Sequence, residues 1–85
     1  MTMHGFGVGT TSTVDETIMK ARQLSNVKGI IWVHRITEIN GYTLLFEFGH
    51  HKKFGYNDFD QFLKAVEKTG VKNIQLYKIQ ESYKG

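Results

Sequence analysis

Large apolar residues recur along this chain with two periods, about two residues and about 3.6, and the changes between them mark out its elements. In Met3–Gly9, His4, Phe6 and Val8 fall on one side and Gly5 and Gly7 on the other. That alternation predicts a strand with one side bare for a close approach, a flexible leader being the competing reading. Thr13 and Glu16 form a capping box, with Thr13 as N-cap and Glu16 reaching back to its amide. Val14, Ile18, Ala21 and Leu24 then follow helical spacing as far as Asn26, a plausible stop. Gly29 to Thr37 is rich in Ile, Val and Trp and too short for a good helix, so it reads as a strand. Asn40-Gly41 is the strongest local signal, because a type I′ hairpin turn needs positive φ at both central residues. Tyr42 to Gly49 returns as the partner strand.

A second helix is expected from Asn57 or Asp58, where Asp58 and Gln61 offer another capping box. Phe59, Phe62, Leu63 and Val66 form its apolar stripe, Gly70 suits the left-handed C′ position, and Val71 folds back as its hydrophobic partner. Val71 to Ile79 alternates as a last strand. Proline is absent, so glycine and polar caps punctuate the elements. The order βαββαβ resembles the ferredoxin-like split βαβ arrangement. That resemblance spans nearly the whole chain and rests on element order. It implies a small α+β sandwich over residues 1–85, a single domain with an antiparallel sheet and two helices on one face. It implies no particular activity, because the fold hosts many.

With Asn40 and Gly41 as the loop, Ile39 pairs with Tyr42, Thr37 with Leu44, Arg35 with Phe46, Val33 with Phe48, and His34 with Glu47. One side then carries Ile31, Val33, Ile39, Tyr42, Leu44, Phe46 and Phe48, the natural surface for the helices to cover. The other carries Ile30, Trp32, His34, Ile36, Leu45, Glu47 and His51. A sheet with helices on one face normally has a polar second face. Large apolar groups among ionisable ones there mark an interaction surface. Ile30, Trp32, His34, Ile36, Leu45 and Glu47 are therefore the expected partner-binding residues. The occupant is a second copy in a homodimer, a larger protein, or a ligand, with Trp32 as the anchor.

Eleven Lys and Arg against eight Asp and Glu give a net charge of +3, which tolerates anionic partners without identifying one. Cysteine is absent, which removes disulfides, thiolate metal sites and cysteine nucleophiles. No apolar run approaches the ~20 residues of a membrane span, and the first residues lack the pattern of a signal peptide. A soluble cytoplasmic protein is expected, with no cofactor and no metal.

His34 and Glu47 could serve as a general acid/base couple beside Trp32, or form a plain cross-strand charge pair. His51, Lys52, Lys53, Phe54 and Tyr56 could contact nucleic acid or another anion, the lysines at phosphates and the rings on bases. The competing reading is a solvated loop whose aromatics seal the core. Adjacent His50 and His51 would point to opposite faces of a strand, a poor metal pair. The Gly5–Thr13 segment matches neither the P-loop nor the dinucleotide fingerprint, and Asp15 and Glu16 stand where a phosphate would sit. The expected function is a small non-enzymatic binding module, an inhibitor or regulator of phage or mobile-element type. The alternative is a nucleic-acid-binding protein or toxin-type nuclease built on the His34–Glu47 pair and the basic loop.

Overall fold

The computed structural model describes residues 4–84. Met3, placed in the first strand by its sequence, lies outside them. Strand β1 (Gly5–Thr10), helix α1 (Val14–Ser25), strands β2 (Ile30–Ile39) and β3 (Tyr42–Phe48), helix α2 (Phe59–Glu67) and strand β4 (Lys72–Lys78) follow in order. A 3₁₀ turn, His51–Phe54, lies between β3 and α2. The strands form one antiparallel sheet in the order β2-β3-β1-β4. Leu24 of α1 and Phe62 and Val66 of α2 join Leu44, Phe46 and Phe48 of β3 in one buried cluster, so both helices cover the same face. The result is a slab of 32 × 32 × 18 Å, the α+β sandwich that the element order implies.

The central strand β1 makes this packing possible. Gly5, Gly7 and Gly9 face the helices, and the space their missing side chains leave is filled. A Cβ on Gly7 would lie 2.3 Å from Cζ of Phe46, and one on Gly5 would lie 2.2 Å from the Tyr77 carbonyl oxygen. The bare side of the strand thus receives the protein's own phenylalanine rings. Phe46, Phe48 and Phe62 are fully buried, and Phe48 lies 5.2 Å from Phe62 between ring centres.

Both helices are capped as expected, with one shift. The Glu16 amide donates to Thr13 Oγ1 at 3.1 Å and the Gln61 amide to Asp58 Oδ1 at 2.9 Å. The returning bonds land one residue before each N-cap, with Glu16 accepting from the Ser12 amide and Gln61 from the Asn57 amide, both at 2.8 Å. Helix α2 buries Phe62 and Val66, with Phe59 packed against them. Lys68 is its C-cap, Gly70 follows with φ of +79°, and Val71 folds into the core.

Helix α1 is rotated from its expected stripe. Thr17, Ala21 and Leu24 face inward, while Val14 is 63% and Ile18 38% exposed. Hydroxyl bonding turns it: Thr17 Oγ1 meets Thr11 Oγ1 at 2.5 Å and donates to the Thr13 carbonyl at 2.7 Å. Thr11 is in turn bound to Thr43 Oγ1, by its hydroxyl at 2.6 Å and by its amide at 3.0 Å. Each buried hydroxyl therefore has its partner, and polar Thr17 displaces Ile18 from the interior.

The hairpin turn forms where expected, with φ of +53° at Asn40 and +86° at Gly41 and Ile39 opposite Tyr42. Beyond it the register departs twice. Ile36, Thr37 and Glu38 intervene between Arg35 and Ile39, whereas only Thr43 separates their partners Leu44 and Tyr42. Two extra residues on β2 move every later pair by two, so Arg35 faces Leu44, Val33 faces Phe46, and His34 faces Leu45 instead of Glu47. An even shift keeps each side chain on its face. Further on, Ile31 alone bulges between Ile30 and Trp32, whose partners Phe48 and Glu47 are consecutive. That odd insertion reverses the alternation and turns Ile30 onto the core, against Phe48. Ile39, expected under the helices, is 63% exposed at the hairpin tip.

Replacing Gly7 by alanine forces a methyl group against the Phe46 ring and is expected to cost about 1–3 kcal/mol. Phe46→Ala, which opens a cavity at the same point, is expected to cost about 3–5 kcal/mol. Urea unfolding measures both. An unchanged midpoint for Gly7→Ala would mean that the ring does not rest on β1.

Candidate functional site

The side of the sheet away from the helices is organised in rows running across the strands. Trp32 pairs with Glu47, Glu47 with Phe6, and Phe6 with Tyr77, which places three aromatic side chains and one carboxylate in one line across all four strands. The adjacent row is His34, Leu45, Val8 and Gln75. Phe6 and Tyr77 stack with centres 5.2 Å apart and planes inclined by 28°. Trp32 is 60% exposed, Tyr77 46% and Phe6 39%, so this face carries much apolar surface in contact with water. The two rows contain no lysine or arginine.

Of the residues expected here, Trp32, His34, Leu45 and Glu47 are in place. Ile30 lies on the core side because of the bulge at Ile31, and Ile36 sits within the wide irregularity of β2, where it lines a different depression. His51 is off the sheet, in the 3₁₀ turn. Phe6 and Tyr77 join the face without having been singled out for it. Both were readable: Gly5 and Gly7 turn inward, so Phe6 turns outward, and Ile74 and Leu76 pack inward around an outward β4. What sequence could not show is that β1 and β4 are neighbours, which brings the two rings together.

His34 Nε2 and Glu47 Oε1 are 3.9 Å apart, with the side chains 47% and 31% exposed. The pair is diagonal across the strands rather than directly opposed. That separation is beyond a hydrogen bond, and ion pairs so open to solvent contribute little.

The basic loop has a structural role at the end of the core. The Tyr56 hydroxyl donates to the Lys28 carbonyl at 2.8 Å, its ring meets Phe62 edge-on at 5.6 Å, and burial raises its pKa. Phe54 is half-buried beside Gly29. Both aromatics are thus taken up by packing, while Lys52 and Lys53 are exposed. His50 and His51 do not diverge as strand neighbours would, since β3 has ended; their rings stack at 4.6 Å. Among the described residues no three His, Asp or Glu side chains are placed to hold a metal ion.

A depression of about 460 Å³ lies between the start of α1 and the irregular part of β2, lined by residues that include Thr11, Ser12, Thr13, Arg35, Ile36 and Glu38. Its helix end is already served by the chain itself, because the Glu16 carboxylate accepts the Ser12 amide. The charged groups lining it, Arg35 and Glu38, are of opposite sign.

The architecture is that of a ferredoxin-like α+β domain with an open, aromatic sheet face. A solved structure described as "Crystal structure of PH0061" is similar to it, with a TM-score of 0.65 and 14% identity over 98% of this chain. At that identity the likeness is one of fold, and this chain spans 55% of the length of that one. No protein-family model and no curated protein matches the sequence. Among the described residues, no helix is long and apolar enough to cross a membrane.

The looseness of the His34–Glu47 contact sets a measurable expectation. A double-mutant cycle with His34→Gln and Glu47→Gln, followed by thermal unfolding, is expected to give a coupling below about 1 kcal/mol. A larger value would show that the two groups close to a charged hydrogen bond in solution.

Proposed function

We propose that this chain is a small non-enzymatic binding module, cytoplasmic, acting as a regulator or inhibitor by protein–protein contact through its open sheet face. The occupant is a second copy in a homodimer or a larger protein. One observation carries the reading: the line Trp32–Glu47–Phe6–Tyr77 puts three large rings on a face that the chain's own helices leave uncovered. Aromatic side chains bury much area at small entropic cost, and such exposed groups are characteristic of interface anchors. The broad face of the slab, 32 Å on each side, is wide enough for a contact of ordinary size, about 800 Å² per partner.

Sheets of this topology also stack bases on exposed aromatics, which keeps a nucleic-acid reading as the second one. The stacked Phe6–Tyr77 pair favours it. The charge of the two central rows opposes it, since a phosphate chain across them would meet the Glu47 carboxylate and no lysine or arginine.

Trp32→Ala and Phe6→Ala are each expected to leave the circular dichroism spectrum unchanged and to weaken self-association or partner binding by at least ~2 kcal/mol. Light scattering across a concentration series, and affinity for any protein captured by the wild type, provide the measurements. Association unaffected by both substitutions would remove the open face from the function. Binding of single-stranded nucleic acid that weakens steeply with salt would instead establish the second reading, and cleavage lost in His34→Gln would establish the nuclease form of it.

A further inference from the structure

Three imidazoles meet at the end of the sheet opposite the hairpin tip, on a part of the molecule independent of the open face. His4 precedes β1, and its backbone is held on both sides: its amide donates to the Phe48 carbonyl and its carbonyl accepts from the Ile79 amide, each at 2.8 Å. Its ring lies 4.8 Å from that of His50, which stacks on His51 at 4.6 Å. His51 in turn meets Phe59 of α2 edge-on at 6.1 Å. The rings therefore join the start of β1, the β3–α2 connection and the first turn of α2.

The turn that carries two of these rings is held by them. His50 is the N-cap of the 3₁₀ turn, and its Nδ1 accepts from the Lys52 amide at 3.3 Å. Nδ1 of His51 is enclosed and has no hydrogen-bond partner. A proton placed there would be an enclosed charge with no acceptor, a costly state. The surroundings are mostly cationic: Lys52 belongs to the turn itself, and Lys78, at the end of β4, sits 4.1 Å above the Phe59 ring. Asp58 is the opposing carboxylate near His51, and its Oδ1 is already engaged in capping α2.

We infer that the β3–α2 connection is an acid-triggered hinge: residues 50–56 dock on α2 and the end of the sheet while the His4 and His51 rings are neutral, and release when these two take up protons. The sense follows from proton linkage. Burial first, then the charges of His50 and Lys78, hold His4 and His51 below the usual 6.5. The docked form consequently binds fewer protons than the released form, so docking is complete above that usual value and is lost as pH falls below it. Release would break the turn's short bonds, Lys53 amide to His50 carbonyl at 3.0 Å and Tyr56 amide to His51 carbonyl at 3.3 Å. It would also uncover Phe59.

Nuclear magnetic resonance on the whole chain between neutral pH and pH about 5 tests this. The expected result is loss of the cross-relaxation contact between the His51 and Phe59 rings, with raised backbone mobility over residues 51–56. The Phe48–Phe62 contact should persist, showing that the core stays folded. His51→Phe retains a ring on Phe59 and takes up no proton, and His4→Gln removes the second proton site. The double variant is expected to keep the connection docked throughout, and His4→Gln alone to reduce the response if the double variant fails to fold. A His51–Phe59 contact that survives once His4 and His51 are protonated would overturn the inference. So would a foldable variant that releases over the same pH range as the wild type.

Discussion

The packing of Phe46 and Phe48 onto the glycine side of β1 is the contact on which the rest of the molecule depends. Two fully buried rings lie directly over a central strand that offers no side chains in return. A domain of this size buries a modest share of its surface, so a dense aromatic centre matters more than it would in a larger protein. The same arrangement settles the polarity of the sheet. Once Gly5 and Gly7 face the helices, Phe6 must face the other way. An open aromatic face is thus the counterpart of the way the core is filled.

Two insertions in β2 act on that face very differently, and parity explains why. The two additional residues between Arg35 and Ile39 change who is opposite whom, yet His34 and Glu47 remain on the same side. The single additional residue at Ile31 changes sides, which adds Ile30 to the core and leaves Trp32 alone at the edge. A bulge therefore sets the composition of the open face. Without it, a further aliphatic group would stand beside Trp32 in water.

The slab carries its polar and apolar specialisations at separate places. The open face holds aromatic rings, His34 and one carboxylate, while the other three histidines, His4, His50 and His51, gather at one end of the sheet, near Lys52 and Lys78. The hydroxyls of Thr11, Thr17 and Thr43 form a third, fully satisfied group at the start of α1. A ferredoxin-like frame does not by itself select among functions, which reside in such local groupings.

Local chemistry alone determined the element order, both helix starts, the Asn40-Gly41 turn and the aromatic content of the core. Each depends on a few neighbouring residues: a threonine or aspartate three residues before an amide donor, an asparagine that tolerates positive φ, or apolar residues at period two. The placement of Trp32, His34, Leu45 and Glu47 on the open face was legible because a shift of two preserves alternation. Tertiary structure decided what depends on distant partners. The irregularities of β2 arise in its pairing with β3, so the fates of Ile30, Ile36 and Ile39 could not be read from alternation. The inward turn of Thr17 needs the hydroxyl of Thr11, and through it Thr43. Phe6 meets Tyr77 because β4 pairs beside β1, although the two residues lie far apart in sequence. His4 reaches His50 for a similar reason, since β1 lies against β3. Periodicity fixes which way a side chain points within its own element, whereas long-range pairing decides what it meets there.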